Sequence, residues 1–388
     1  MRCTALSLLI LPALLLACHG EPVGPNGSPP VSLPAFAKPG GSGTITDLKL
    51  SGSGQDSRAE DINASGRIVG WRGPWNGPNT AFVWTPTTNR GTAGTATTLP
   101  SLGDDAQAYA VNAQGYIGGE RGRAGVNMQN PVLWRPLPSS GYSAPFELGS
   151  ALDGGAVLDL GDFGLSNSAL AVGHSDIRIN PRALAWELSL VSGLVSVSAR
   201  WVLPSLPEAP GGGSAAFEVS SASQAVGYAD SSTKQLPVRW SYDGTAWEIQ
   251  SLPMLAGATG GAARGINTPG QIVGYNFMGA GACQRAFVWT PPTATAVATL
   301  RQLPSLGRSF CETAYAINDA GQVSGSSGGR AVLWILGETI SVRDLGKPSG
   351  TSTAEGMALN EPLGGTTEIV GYGRSSSGAE RGTLWTVR

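Results

Sequence analysis

The chain has 388 residues, only 13% of them charged, and 25 basic against 27 acidic residues leave a formal net charge of −2. That balance excludes the basic face a nucleic-acid binder requires. The 56 glycines and 27 prolines fit many short strands and loops.

Taken in chain order, residues 1–17 read as a lipoprotein signal peptide. Arg2 is the charged start, and Leu6 to Leu16 form an apolar core too short to span a bilayer. The core ends in Leu15-Leu-Ala-Cys18, which resembles the bacterial lipobox; the resemblance implies cleavage before Cys18 and its lipidation, which would anchor the chain stably. An ordinary secretion signal containing a cysteine is the alternative. His19 and Gly20 follow with no Asp in second place, which under the enteric sorting rule implies the outer membrane or cell surface. Residues 18–43 then form a lipid-anchored tether, rich in Pro, Gly and Ser and without periodicity, with a reach of roughly 25–30 Å.

From residue 44 to 388 one phrase repeats seven times, with a period of about 49 residues. An apolar run ends in Asn, and a tight turn ending in Gly leads to Val-Gly or its equivalent (Gly70, Gly118, Gly173, Gly227, Gly274, Gly325, Gly371). A variable stretch follows, then an apolar triplet ending in Trp (Trp84, Trp134, Trp186, Trp240, Trp289, Trp334, Trp385), then a run of the Leu99-Pro-Ser-Leu-Gly103 type. Length alone suggests two or three domains, but such a period, built of short strand-like runs, indicates a propeller or β-array instead. The seventh copy stops at Trp385-Thr-Val-Arg388 without its closing run, and the equivalent stands ahead of the first copy as Thr44-Ile-Thr-Asp-Leu48. Only a closed ring has a use for this permutation, because the N-terminal strand then completes the last blade and removes both free sheet edges. The expected fold is all-β: a seven-bladed β-propeller of four-stranded blades, with the N-terminal strand outermost in the last.

The turns have their own chemistry. Asn63-Ala-Ser-Gly66, Asn112-Ala-Gln-Gly115, Asn267-Thr-Pro-Gly270 and Asn318-Asp-Ala-Gly321 place Asn first to cap the backbone and Gly fourth to take positive φ. Copies three and four use Ser166 and Ser220 in the Asn position, and copy seven starts at Asn360 with about four extra residues. Of the four cysteines, Cys3 lies in the signal and Cys18 takes lipid; Cys283 and Cys311 fall in loops that emerge on one face, so a disulfide is expected. Two cysteines alone imply no metal site.

The text Ala-Tyr-Ala-Ile-Asn318-Asp-Ala-Gly-Gln-Val, Arg-Ala-Phe-Val-Trp289 and Asp-Leu-Gly346 resembles the HAF-repeat family of bacterial extracellular proteins, over nearly all of residues 44–388. The family's name-giving His is replaced here by Thr80, Asn130, Arg182, Leu236, Arg285, Arg330 and Gly382, so no role of that His carries over. The resemblance implies fold and an extracellular location more than chemistry.

Loops joining strands two and three, with those joining blades, define one face, and loops on rigid scaffolds are where binding residues gather. The candidates there are Trp71, Arg72, Trp75, Arg121, Arg123, His174, Asp176, Arg178, Tyr228, Tyr275, Tyr372 and Arg374. Trp71 and Trp75 break the repeat and read as platforms for a glycan or peptide; the seven periodic tryptophans read as core. A second ring, Glu60, Tyr109, Phe163, Phe217, Arg264, Tyr315 and Met357, comes from the innermost strands; its aromatics suggest packing between blades, with Glu60 and Arg264 placed to reach the channel. Nothing pairs His174 with a nucleophile and an orienting acid, and no calcium loop or phosphate cradle occurs. Asp104-Asp105 reads as a solvated turn rather than a glycosidase pair. The expected function is a non-catalytic, monomeric binding or adhesion module of the cell envelope, without metal or cofactor and without nucleic acid. Its partner is a glycan or an envelope protein. A polysaccharide-active lyase or hydrolase and a protein–protein scaffold are the alternatives.

Overall fold

The computed structural model describes residues 43–50, 55–74, 77–101, 105–123, 126–149, 154–175, 180–279, 283–307 and 311–388. The signal segment, Cys18 and the tether through residue 42 lie outside these, as do Trp75, Asp176 and Arg178, and only the backbone of Arg123 is described.

Alternating short runs and glycine turns fold into 28 strands, arranged as seven four-stranded antiparallel sheets with no helix among the described residues. Blades one to six span 56–98, 106–147, 156–202, 214–251, 258–302 and 312–346. Blade seven combines Thr353–Leu359, Thr367–Arg374 and Glu380–Val387 with the N-terminal strand Thr44–Asp47, which pairs Thr44 with Thr386 and Asp47 with Thr383. The ring therefore closes as the permutation predicts. Charge reinforces this seam: Arg58 pairs with Glu380, and Arg90 reaches Glu368 at 2.9 Å.

The periodic tryptophans are all core, none more than 4% exposed. Their indoles explain the Leu-Pro runs: Trp134, Trp240 and Trp334 donate to the carbonyls of Pro100, Pro204 and Pro304 at 2.7, 2.9 and 2.7 Å. The leucines beside these prolines (Leu99, Leu203, Leu303) are fully buried, so each run latches its blade to the next. Cys283 and Cys311 form a disulfide between the strand two-to-three loop of blade five and the connection into blade six. Its 28-residue separation corresponds to about 3 kcal/mol of chain-entropy stabilisation.

The turn asparagines do more than cap. Asn318 Oδ1 accepts from the Gln322 amide at 2.9 Å, while its Nδ2 donates to the Asn360 carbonyl of the next blade at 3.0 Å. Asn267 reaches Asn318, Asn360 reaches Asn63 across the seam, Asn63 reaches Asn112, and Asn112 reaches Gly161. A buried hydrogen-bonded belt thus runs from blade five through the seam to blade three. Blade four keeps Ser220 in the Asn position, but blade three departs from the expected Ser166. Its hairpin is longer, Gly161 occupies the belt position, and the tight turn runs from Gly164 to Ser168 with Asn167 at φ 54°.

Each innermost strand carries a β-bulge at one equivalent position, Glu60, Tyr109, Leu158, Phe217, Arg264, Tyr315 or Met357, and blade five has a second register shift at Thr259. Blade three therefore contributes Leu158 rather than Phe163, which is buried against Tyr116 with ring centroids 4.9 Å apart. The bulge also explains the repeated glycine of the second strand. A Cβ on Gly274 would lie 2.1 Å from the carbonyl oxygen of Ala262, two residues before the bulge, and the other six equivalents meet the matching oxygen at 1.9 to 2.1 Å. In blade two that glycine is Gly119, not Gly118, whose Cβ would meet a Val157 side chain instead.

Candidate binding site in the central channel

An extra residue in one strand re-aims its side chain. Here all seven bulge residues line a single channel cavity of about 440 Å³. One backbone feature, repeated around the ring, thus presents one acid, one base, three aromatics and two aliphatic side chains to a common space. Tyr109, Phe217 and Tyr315 belong to this lining and are half-buried, and Phe217 and Tyr315 also contact Arg264 and Glu355 of the next blades.

The charges in this mouth are held by aromatic neighbours. The Arg58 guanidinium lies 4.3 Å from the Tyr372 ring centroid and 5.5 Å from Trp71, and donates through Nη2 to Glu380 Oε1 at 2.7 Å. Trp71 Nε1 donates to Glu60 at 2.9 Å, and burial pushes the Glu60 carboxyl above its ordinary pKa, against the opposing pull of Arg58. Arg264 lies 4.0 Å from the Phe217 ring centroid and 5.6 Å from Tyr315. Tyr109 donates to Glu120 at 2.9 Å and Tyr315 to Glu355 at 2.5 Å; burial and these carboxylates raise both phenols.

Immediately after three of the bulges stand Asp61, Asp159 and Glu218. Each accepts an amide of the next blade, from Val111 at 2.7 Å, Val219 at 2.8 Å and Ile266 at 3.2 Å. All three line both this cavity and a second, of about 740 Å³, at the turn end, so they form the constriction between them. Burial pushes Asp61 up to about 6, Asp159 up to about 7 and Glu218 well above the usual carboxylate range.

The residues singled out from sequence separate into two groups. Trp71, Tyr372 and Arg374 gather around Arg58 and Glu380, with Arg374 bonded to Glu380 Oε1 at 2.5 Å. His174 lines the cavity, its Nδ1 3.1 Å from the Ser175 carbonyl, and Tyr228 leans on Phe217 at 5.9 Å. Tyr275 packs edge-on against Phe277 at 5.3 Å. Arg72 is occupied with the Leu50 carbonyl and Thr98, each at 2.9 Å, and Arg121 pairs with Glu147; neither lines the cavity. Sequence reasoning missed Arg58, Leu158 and the three constriction acids. It also missed Trp201 and Trp247, which stand off the repeat but stack with Tyr242 against the core of blades three and four, Trp201 at 5.1 Å and Trp247 at 5.2 Å. Among the described residues no cluster of three or more His, Cys, Asp or Glu is placed to hold a metal ion.

No protein family and no curated protein matches the chain by sequence. Its fold is similar to solved propellers. YCF48 from Cyanidioschyzon merolae aligns with a TM-score of 0.53 and 12% identity, over 89% of this chain and 98% of that one. The β-propeller domain of the Trilobed protease from Pyrococcus furiosus aligns at 0.51 and 12%, over 86% and 93%, and is described as having an open velcro topology. A streptogramin B lyase aligns at 0.51 and 12%, over 90% and 98%. At such identity the likeness shows the β-propeller fold alone.

Proposed function

We propose that this chain is a non-catalytic binding module of the bacterial cell envelope that takes a saccharide into the bulge-lined mouth of its channel. The observation that carries the reading is the convergence of seven chemically different side chains, from seven equivalent backbone positions, on one cavity. Rings such as Tyr109 and Phe217 suit the C–H faces of a sugar, and the carboxylates beside them suit its hydroxyls. The lipobox-like Leu15-Leu-Ala-Cys18 and the HAF-like repeats support an anchored, extracellular protein, and the Cys283–Cys311 disulfide supports an oxidising compartment.

A polysaccharide-active enzyme is the second reading. It is favoured by acids held near neutrality, Asp159 above all, in the same cavity as His174. One experiment separates the two: immobilised full-length protein is challenged with envelope polysaccharides and a glycan array, and both retention and polymer length are measured. Retention at unchanged length is expected. Shortened polymer would establish the enzyme, and no retention would end the saccharide reading in favour of a protein partner.

A further inference from the structure

Arg264 is the one bulge residue with a fixed positive charge; Glu60 and Glu218 attract it from within the cavity, but neither forms an ion pair with it. No carboxylate among the described residues comes within 4.0 Å of it, and its Nε is buried without an acceptor. The side chain lines the cavity. The carboxylates sharing that space are engaged elsewhere: Glu60 with Trp71, and Asp61, Asp159 and Glu218 with amides of neighbouring blades. Arg58, by contrast, is paired with Glu380, a carboxylate it shares with Arg374. The Arg264 guanidinium lies over the rings of Phe217 and Tyr315, which hold it in place. What such rings leave unsatisfied is the planar fork of donors, which matches a carboxylate.

We infer that Arg264 is the anion anchor of the channel and that the ligand it selects is a carboxylate-bearing sugar, a uronic-acid residue, with Phe217 and Tyr315 beside its ring. This rests on the saccharide reading above and narrows it to acidic glycans. A cavity of about 440 Å³ suits one or two sugar residues rather than a long stretch of polymer. The acids at the constriction do not oppose entry as three full negative charges, because burial pushes Asp159 up to about 7 and shifts Glu218 in the same direction.

The test is calorimetric titration of the full-length protein with galacturonic acid and its di- and trimers, against galactose and its neutral oligomers. Arg264→Met and Arg264→Lys are measured alongside, with thermal unfolding as the fold control. Uronates are expected to bind more tightly than their neutral counterparts. Arg264→Met should lose about 10- to 100-fold in uronate affinity, the value of a charge-assisted hydrogen-bond pair, and distinctly less in neutral-sugar affinity, so that the preference for uronate disappears. Arg264→Lys should keep part of the preference, because it retains charge without the fork. Equal binding of uronate and neutral sugar by the wild type, or uronate affinity untouched in Arg264→Met, would overturn the anchor and leave the saccharide reading standing. Failure of every sugar to bind the wild type would overturn both.

Discussion

The two ends of the channel are built from the same seven repeats and use them in opposite ways. At the turn end, five blades place the same residue, Asn, in the same buried position, and each such side chain holds the neighbouring blade. At the bulge end, seven equivalent positions hold Glu, Tyr, Leu, Phe, Arg, Tyr and Met. Repetition of one chemistry fastens the joints from blade five through the seam to blade three, because those joints present the same geometry and take the same bond. Variation on a fixed backbone makes a lining with direction and sign, which a symmetric ring cannot supply. The first end is therefore the fastening, and the second is the surface proposed for recognition.

The strongest test of this contrast strikes the element that supports the bulges. Gly274→Val puts a branched side chain where a Cβ alone would sit 2.1 Å from the Ala262 carbonyl oxygen, so the strand pair must part. A loss of about 4 kcal/mol is expected in urea unfolding, with little soluble protein recovered. A near-neutral result would mean the bulge is not held by the glycine. Next in size is Asn318→Ala at the turn end. It removes the bond from Gln322 and the one to the Asn360 carbonyl, and about 2 kcal/mol should go with them while ligand retention stays at the wild-type level. Loss of retention at full stability would reverse the roles assigned to the two ends.

The smallest effect lies at the constriction between them. Asp61 and Asp159 hold their protons up to about 6 and about 7 in the folded chain, whereas an unfolded Asp releases its proton near pH 4. Folding thus takes up protons from roughly pH 4 to 7. The stability linked to these groups is complete below that window and is lost as pH rises through it. Asp159→Asn keeps an acceptor for the Val219 amide and removes one titration, so the fall in stability between pH 5 and 7.5 should shrink by about 1 kcal/mol, allowing for water in the channel. Urea titrations at the two pH values measure it, and an unchanged slope would show that Asp159 titrates as an ordinary surface acid.

Much of this was legible in the sequence because it depends on local rules repeated many times. Blade number, the closing strand Thr44–Asp47, the buried Trp row and the Cys283–Cys311 bridge follow from period, permutation and loop class. The channel lining was only partly legible. Strict alternation assigns a side chain to a face only where the ladder is regular, and a bulge shifts that count by one. In blade three a longer hairpin compounded the error, so counting back from the turn reached Phe163 rather than Leu158.

The sequence by itself determined the scaffold, since each copy of the phrase encodes the same strands, turns and buried rings, and seven copies leave one way to hide both edges. Only the tertiary structure decided which side chains meet. The bonds from Asn63 to Asn112 and from Asn360 to Asn63, the Arg58–Glu380 pair and the contacts of Arg264 with Phe217 and Tyr315 join residues one blade or a whole ring apart along the chain. Their existence depends on ring closure bringing those blades into contact, and no local pattern records it.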